Sequence, residues 1–170
     1  MTLVRQLPTR RLALAAATLV IGYPVFVIAA NVVQHDTYDP ASEAMSNLAL
    51  GRDGWLMTLA FLWLGVGNVL MALLVRRLAP GAIVGPALLA ASACTTLLSA
   101  VFQTDADGAP STLHGTIHIA LGLGSFVLVI AAMAACGVAY LRSKLHRRLG
   151  IASIVWAATD RGCWAAQPSN

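Results

Sequence analysis

The chain has 170 residues, 58% hydrophobic and only 11% charged, with a net charge of +4 and a mean hydropathy of +0.76. A water-soluble domain of this length needs a charged surface that such a composition does not supply. The basic residues form short clusters without interleaved aromatics, which argues against a nucleic-acid surface and makes the lipid bilayer the expected partner.

The first apolar run covers 12–33. Roughly 20 helical residues cross a bilayer core, so it is long enough to span. Arg5, Arg10 and Arg11 precede it. A signal peptide would have a shorter apolar core and a small-residue cleavage site, so an uncleaved first helix is favoured, with Pro24 as a point for a kink. The second run covers 55–75, opening on Trp55 and closing on Arg76 and Arg77. The third covers 82–102 and the fourth 111–141. A partial fifth covers 149–159 and soon meets Asp160 and Arg161.

Charge alternates between the connections. The segments before run one, between runs two and three, and after run four (Arg142, Lys144, Arg147, Arg148) carry no acid. Segment 34–54 holds Asp36, Asp39, Glu43 and Asp53 against Arg52 alone, and segment 103–110 holds Asp105 and Asp107 with no base. The positive-inside rule then places the N-terminus in the cytoplasm and both acidic segments on the outer face, with His35 outside and His146 inside. The expected fold is an all-α, polytopic transmembrane helix bundle forming one domain over 1–170. It has four spanning helices and a partial fifth, and sits in the cell inner (plasma) membrane.

The three cysteines, Cys94, Cys136 and Cys163, show no CxxC spacing. Neither a disulfide framework nor a cysteine metal site is implied, and Cys94 and Cys136 read as small buried hydrophobes.

The ionisable residues that stand out are on the outer side. His114 and His118, four apart, share one helical face, the spacing at which two imidazoles grip one metal ion. Asp105 is placed to be a third ligand or a second-shell partner, and zinc is the metal this set would take. HxxxH is a weak signal, and the plainer expectation is that His118 hydrogen-bonds a neighbouring helix. His118, Gly122 and Ser125 continue a small, polar stripe that should face protein. In 34–54, Asp39 followed by Pro40 is a helix-start signal, predicting a short amphipathic helix with Ala41, Met45, Leu48 and Ala49 on one face. Ser42, Glu43, Ser46 and Asn47 take its polar positions. Ser46 and Asp39 are the candidate catalytic residues, although a serine without an identified base is no nucleophile. Asn68, Thr95, Thr96 and Ser99 are expected to bond between helices.

The ordered set "YDPASEAMSNLA", "FQTD" and "HGTIHIALG" resembles a family of bacterial and archaeal membrane proteins, domain of unknown function 998. Tyr38, Asp39, Pro40, Ser46, Phe102, Asp105 and His118 fall on its pattern, and the resemblance covers about 12–149. It implies a membrane location, a shared polar cluster at the outer face and a longer, six-helix chain. The tail from about Thr159 departs from the pattern, as a truncation or a shifted frame would. The resemblance implies no activity. A more distant likeness is to membrane hydrolases of the alkaline ceramidase and adiponectin-receptor kind, whose inventory Ser46, Asp105, His114 and His118 match.

Three functions follow as expectations. The first is an uncharacterised membrane protein, with an outer His/Asp/Ser cluster, that works as an interaction or sensor component, with a second copy or another membrane protein as partner. The second is a zinc-dependent hydrolase acting on a lipid or amide through His114, His118 and Asp105. The third is a small transporter.

Overall fold

The computed structural model describes residues 8–142 and 147–165. Over these residues the chain is all-α, with five α-helices: α1 (Thr9–Val33), α2 (Trp55–Leu78), α3 (Val84–Ser99), α4 (Leu113–Arg142) and α5 (Arg147–Ala165). A 3₁₀ helix, Met45–Ala49, interrupts the α1–α2 connection. Arg5, Lys144 and His146 lie outside the described residues, as do the side chains of Asp160, Arg161 and Cys163.

Helices α1, α2 and α4 have 25, 24 and 30 residues and are long and apolar enough to cross a membrane. At 1.5 Å per residue they reach about 36–45 Å, beyond the roughly 30 Å hydrocarbon core. Their exposed side chains, among them Val25, Ile28 and Val32 on α1 and Ile119, Leu123 and Val127 on α4, suit contact with lipid.

Helix α3 has only 16 residues, short of the expected 82–102. At one end, Pro80–Ala82 form a turn held by the Arg76 guanidinium, which donates to the carbonyls of Pro80 and Ala82 at 3.0 and 2.7 Å. At the other, the chain leaves the helix through a turn at 100–102, and the Phe102 carbonyl turns to a side chain of α4. The fifth helix runs farther than the 149–159 anticipated from hydropathy. Charges at 160 and 161 make crossing a bilayer costly, but they do not stop the backbone from remaining helical.

Each helix packs chiefly on its neighbours in sequence, so the bundle is built from successive antiparallel hairpins. Glycines let these helices approach closely. A Cβ at Gly67 would stand 3.1 Å from Leu19 and Val20 of α1, and one at Gly65 would meet Leu97 of α3 at 2.6 Å. Between α3 and α4 the bond is polar as well. Thr96 Oγ1 and Ser125 Oγ lie 2.7 Å apart, and Ser92 Oγ donates to the Ser125 carbonyl at 3.1 Å. Thr95 and Ser99, expected to bond between helices, donate instead to the carbonyls of Ser92 and Thr95 in their own helix. A hydroxyl there reaches the preceding turn more readily than the next helix. Cys136 is buried as expected, whereas Cys94 is exposed on the side of α3 away from its neighbours.

The core divides in two. One cluster gathers Ala30, Tyr38, Leu48, Leu56, Met57 and Ala60 where the 34–54 segment folds over α1 and α2. The other gathers Ala72, Val75, Leu89, Ala132, Cys136 and Tyr140 toward the opposite end.

Candidate functional site at the loop end of the bundle

Residues 34–54 and 100–112 meet at one end of the bundle, and most of the chain's ionisable residues outside the basic clusters lie there. His118, in the second turn of α4, is 6% exposed. Its Nδ1 lies 2.7 Å from the Phe102 carbonyl oxygen. A carbonyl only accepts, so Nδ1 carries the proton, and in the neutral ring Nε2 keeps the lone pair. The Phe61 ring meets the imidazole edge-on at 5.8 Å between centroids. The position that the sequence pattern assigned to a face-to-protein histidine is therefore a locked tautomer on an interhelical seam.

Asp105 builds the start of α4. Its Oδ2 accepts from the Thr112 backbone N–H at 2.7 Å and its Oδ1 from the Thr112 hydroxyl at 2.6 Å. Thr112 Oγ1 in turn accepts from the Gly115 N–H at 3.1 Å, the N-cap bond of a helix start. These two bonds, hydroxyl before amide, hold the Asp105 carboxyl below its ordinary range, with a smaller push from His114. A Cβ at Gly115 would overlap the carboxylate, so glycine is what admits it. His114 is exposed, its ring 5.4 Å from that of Phe102.

Asp105, His114 and His118 are thus neighbours with separate polar engagements: a helix cap, an aromatic contact and a backbone carbonyl. Among the described residues, no group of three or more His, Cys, Asp or Glu is placed to hold a metal ion.

The 34–54 segment departs from its expected form. Asp39 and Pro40 start one turn, not an amphipathic helix. Asp39 Oδ1 accepts from the Ala41 N–H at 2.9 Å and Oδ2 from the Ser42 hydroxyl at 2.8 Å, while the Asp39 N–H donates to Glu43 Oε1 at 3.1 Å. The first two bonds lower the Asp39 carboxyl. These side-chain bonds satisfy the turn locally, and the chain restarts as the 3₁₀ helix. Both oxygens of Asp39 are spent in an exposed turn, whereas Ser46 is half-buried. Leu48 is fully buried as expected, but Asn47, expected on the polar face, is 9% exposed. Its Nδ2 donates to Asp107 Oδ2 at 2.8 Å, joining the two connections. Its Oδ1 is buried without a hydrogen-bond partner. Gln34, at the end of α1, donates through Nε2 to the Leu48 carbonyl at 3.0 Å.

Two of the cavities at this end, among the described residues, are walled by these groups. The larger, about 600 Å³, is walled by Tyr23 of α1, Phe61 of α2, and His118, Leu123 and Phe126 of α4, and roofed by Met45 and Ser46. Ser46 and His118 therefore face the same space, and Asp39 does not line it. The smaller, about 390 Å³, lies between the two connections, with Gln34, Tyr38, Glu43, Asn47 and Asp107 in its wall. Burial raises the Tyr38 phenol above its ordinary value, and the Glu43, Asp39 and Asp107 carboxylates add to the rise. Sequence reasoning passed over Gln34, Asn47, Asp107 and Thr112 as site residues. Only Thr112 had a signal, a hydroxyl residue just before an apolar helical run.

An all-α bundle with three helices suited to crossing a membrane and a polar, cavity-bearing end belongs to the class of multi-pass membrane proteins. Within that class the chain belongs to the DUF998 family, described as protein of unknown function, which matches residues 9–159. The matched stretch takes in Tyr38, Asp39, Pro40, Ser46, Phe102, Asp105 and His118, which carried the resemblance. No curated protein and no solved structure matches the chain.

Proposed function

We propose that this is an inner-membrane protein whose larger cavity holds an amphiphile drawn from the outer leaflet. In this reading the N-terminus is cytoplasmic and four helices cross, with α3 completed by its turn to Phe102. The alternation of basic and acidic connections supports that orientation. The observation that carries the function is the 600 Å³ cavity itself, within the size range of ligand sites. Its wall sorts by polarity. Ser46, Glu43 and His118 supply the polar groups, and Phe61, Ile119, Leu123 and Phe126 the apolar ones. A head group with a donor suits the His118 Nε2 lone pair, and an acyl chain suits the apolar wall.

The test is native mass spectrometry of detergent-purified protein supplied with a phospholipid of defined chain length. Wild type is expected to retain about one lipid, and Gly122→Phe, which fills the cavity from α4, to lose it with helicity unchanged. Equal retention by both would reject the cavity as the site. A zinc hydrolase built on His114, His118 and Asp105, with Ser46 or Asp39 positioning water or substrate, would require Asp105 to leave Thr112. Near-stoichiometric zinc in the same preparation, lost in both His118→Ala and Asp105→Ala, would replace the amphiphile reading with that one.

A further inference from the structure

The larger cavity carries an inference that rests on the amphiphile reading and makes it specific. We infer that the site selects a head group bearing a protonated primary amine, held by the His118 Nε2 lone pair and the charge of Glu43, with aromatic side chains around it.

Three observations lead to it. The first is an unspent acceptor. His118 is 6% exposed and lines the cavity. Its Nδ1 proton is committed to the Phe102 carbonyl, and Nε2 has no hydrogen-bond partner among the described residues. The one buried side-chain nitrogen or oxygen left without a partner among those residues is Asn47 Oδ1. Nε2 therefore keeps accessible surface, and the open space beside this buried ring is the cavity. The second is the direction of the other hydrogen bonds in the wall. The Tyr23 hydroxyl donates to Met45 Sδ at 3.7 Å and the Ser99 hydroxyl to the Thr95 carbonyl at 3.0 Å. With those protons engaged, the side chains that line the cavity are rich in acceptors, and only the Ser46 hydroxyl has a proton to offer. No Lys, Arg, Asn, Gln or Trp lines it. A phosphate, which only accepts, is poorly matched to such a wall, whereas an ammonium group brings three donors. The third is the setting for a cation. Glu43 lines the cavity, and its negative charge remains although its Oε1 accepts from the Asp39 N–H. Tyr23, Phe61 and Phe126 line the same space, and aromatic rings attract cations.

Access is lateral. Ile119, Leu123 and Phe126 belong to the wall and are 57%, 50% and 47% exposed, so the wall continues onto a face of α4 suited to lipid. An amphiphile can leave its chain in the bilayer while its amine reaches His118. Two sources share this chemistry, a phosphatidylethanolamine and a free long-chain amine. A choline head has the charge but no N–H, and a glycerol head has hydroxyl donors but no positive charge. Head groups therefore separate the acceptor at His118 from the charge at Glu43.

The test is native mass spectrometry of the full chain in detergent with an equimolar mixture of phosphatidylethanolamine, phosphatidylcholine and phosphatidylglycerol carrying the same acyl chains. Wild type is expected to retain phosphatidylethanolamine at least about tenfold over each of the others, the effect of one hydrogen bond to a charged group. His118→Asn keeps a donor for the Phe102 carbonyl and removes the Nε2 acceptor, so it should bring phosphatidylethanolamine level with phosphatidylcholine. Glu43→Gln keeps an acceptor for the Asp39 N–H and removes the charge, so it should bring both zwitterionic lipids toward phosphatidylglycerol. It keeps the inference testable where His118→Asn does not fold. Asp36→Asn, in an exposed residue outside the cavity, should change nothing. Dodecylamine, with dodecanol as its uncharged control, distinguishes the sources. Displacement of bound phosphatidylethanolamine by the amine alone assigns the site to any amine-headed chain, displacement by neither assigns it to the phospholipid, and equal displacement by both counts against an ammonium site. Equal retention of the three head groups by folded wild type would overturn the inference, and loss of lipid in Gly122→Phe would still uphold the amphiphile reading. A preference unchanged in both His118→Asn and Glu43→Gln, or lowered as much by Asp36→Asn, would also overturn it. Lipid retained equally by Gly122→Phe would instead reject the cavity itself.

Discussion

The two ends of this bundle are held by different chemistry. At the loop end, side chains reach backbone groups beyond their own turn: Asp105 to Thr112 within one connection, and Gln34 to Leu48 and His118 to Phe102 over 14 and 16 residues. At the opposite end the Arg76 bonds stay within one short turn, and the helices approach closely through glycines. Gly85 of α3 lies so near Cys136 of α4 that a Cβ would overlap the sulfur, and a Cβ at Gly150 of α5 would stand 2.8 Å from the Gly137 carbonyl oxygen. Close packing fills space, whereas directional polar bonds can hold elements apart at defined angles. Both cavities with polar walls described above accordingly lie at the loop end.

The difference can be broken from either side. The largest effect is expected from Leu48→Ala, which empties a fully buried position under the 3₁₀ helix and should cost about 2–5 kcal/mol. Denaturant unfolding in mixed micelles reads it. At the opposite end, Gly85→Val should cost about 1–3 kcal/mol by overpacking, with lipid retention at the distant cavity unchanged. Thr112→Ala removes the N-cap of α4 and should cost about 0.5–2 kcal/mol, with faster amide exchange confined to the first turn of that helix.

Acid sharpens the comparison further. Asp39 and Asp105 have carboxyls lowered in the folded state, so the stability they contribute is complete above their unfolded values, near pH 4. It is lost as pH falls through the lower, folded values. The contribution of these two carboxyls to a melting series from pH 7 to pH 2 should therefore be lost below about pH 4, and Asp105→Asn should flatten that part of the fall. The smallest effect is expected at His35. Its 2.9 Å pair with Asp36 has side chains 71% and 84% exposed, and His35→Ala should change stability by about 0–1 kcal/mol.

Much of the architecture was legible because it follows from composition along a line. Arg76 and Arg77 end α2 as expected, and α2 starts at Trp55. Of the stripe His118, Gly122 and Ser125, His118 is buried and Ser125 bonds to α3, whereas Gly122 opens on the larger cavity. The start at Asp39 was misjudged in extent because Asp and Pro favour a helix start and a turn equally well. What followed depended on whether Leu48 or a continuing helix took the space over α1 and α2. Asn47 was misjudged because its partner, Asp107, is remote in sequence and reaches it only through the fold.

The sequence by itself determined the helical class, the stretches long and apolar enough to cross a membrane, and the family. Those properties depend on hydropathy and residue order, which need no knowledge of neighbours in space. Only the tertiary structure decided what each polar group does. It made Asp105 the support of a helix cap, turned the His118 proton toward Phe102 and buried Asn47 against Asp107. A hydrogen bond needs donor and acceptor about 3 Å apart, to within a few tenths of an ångström, on segments that sequence order alone does not bring together.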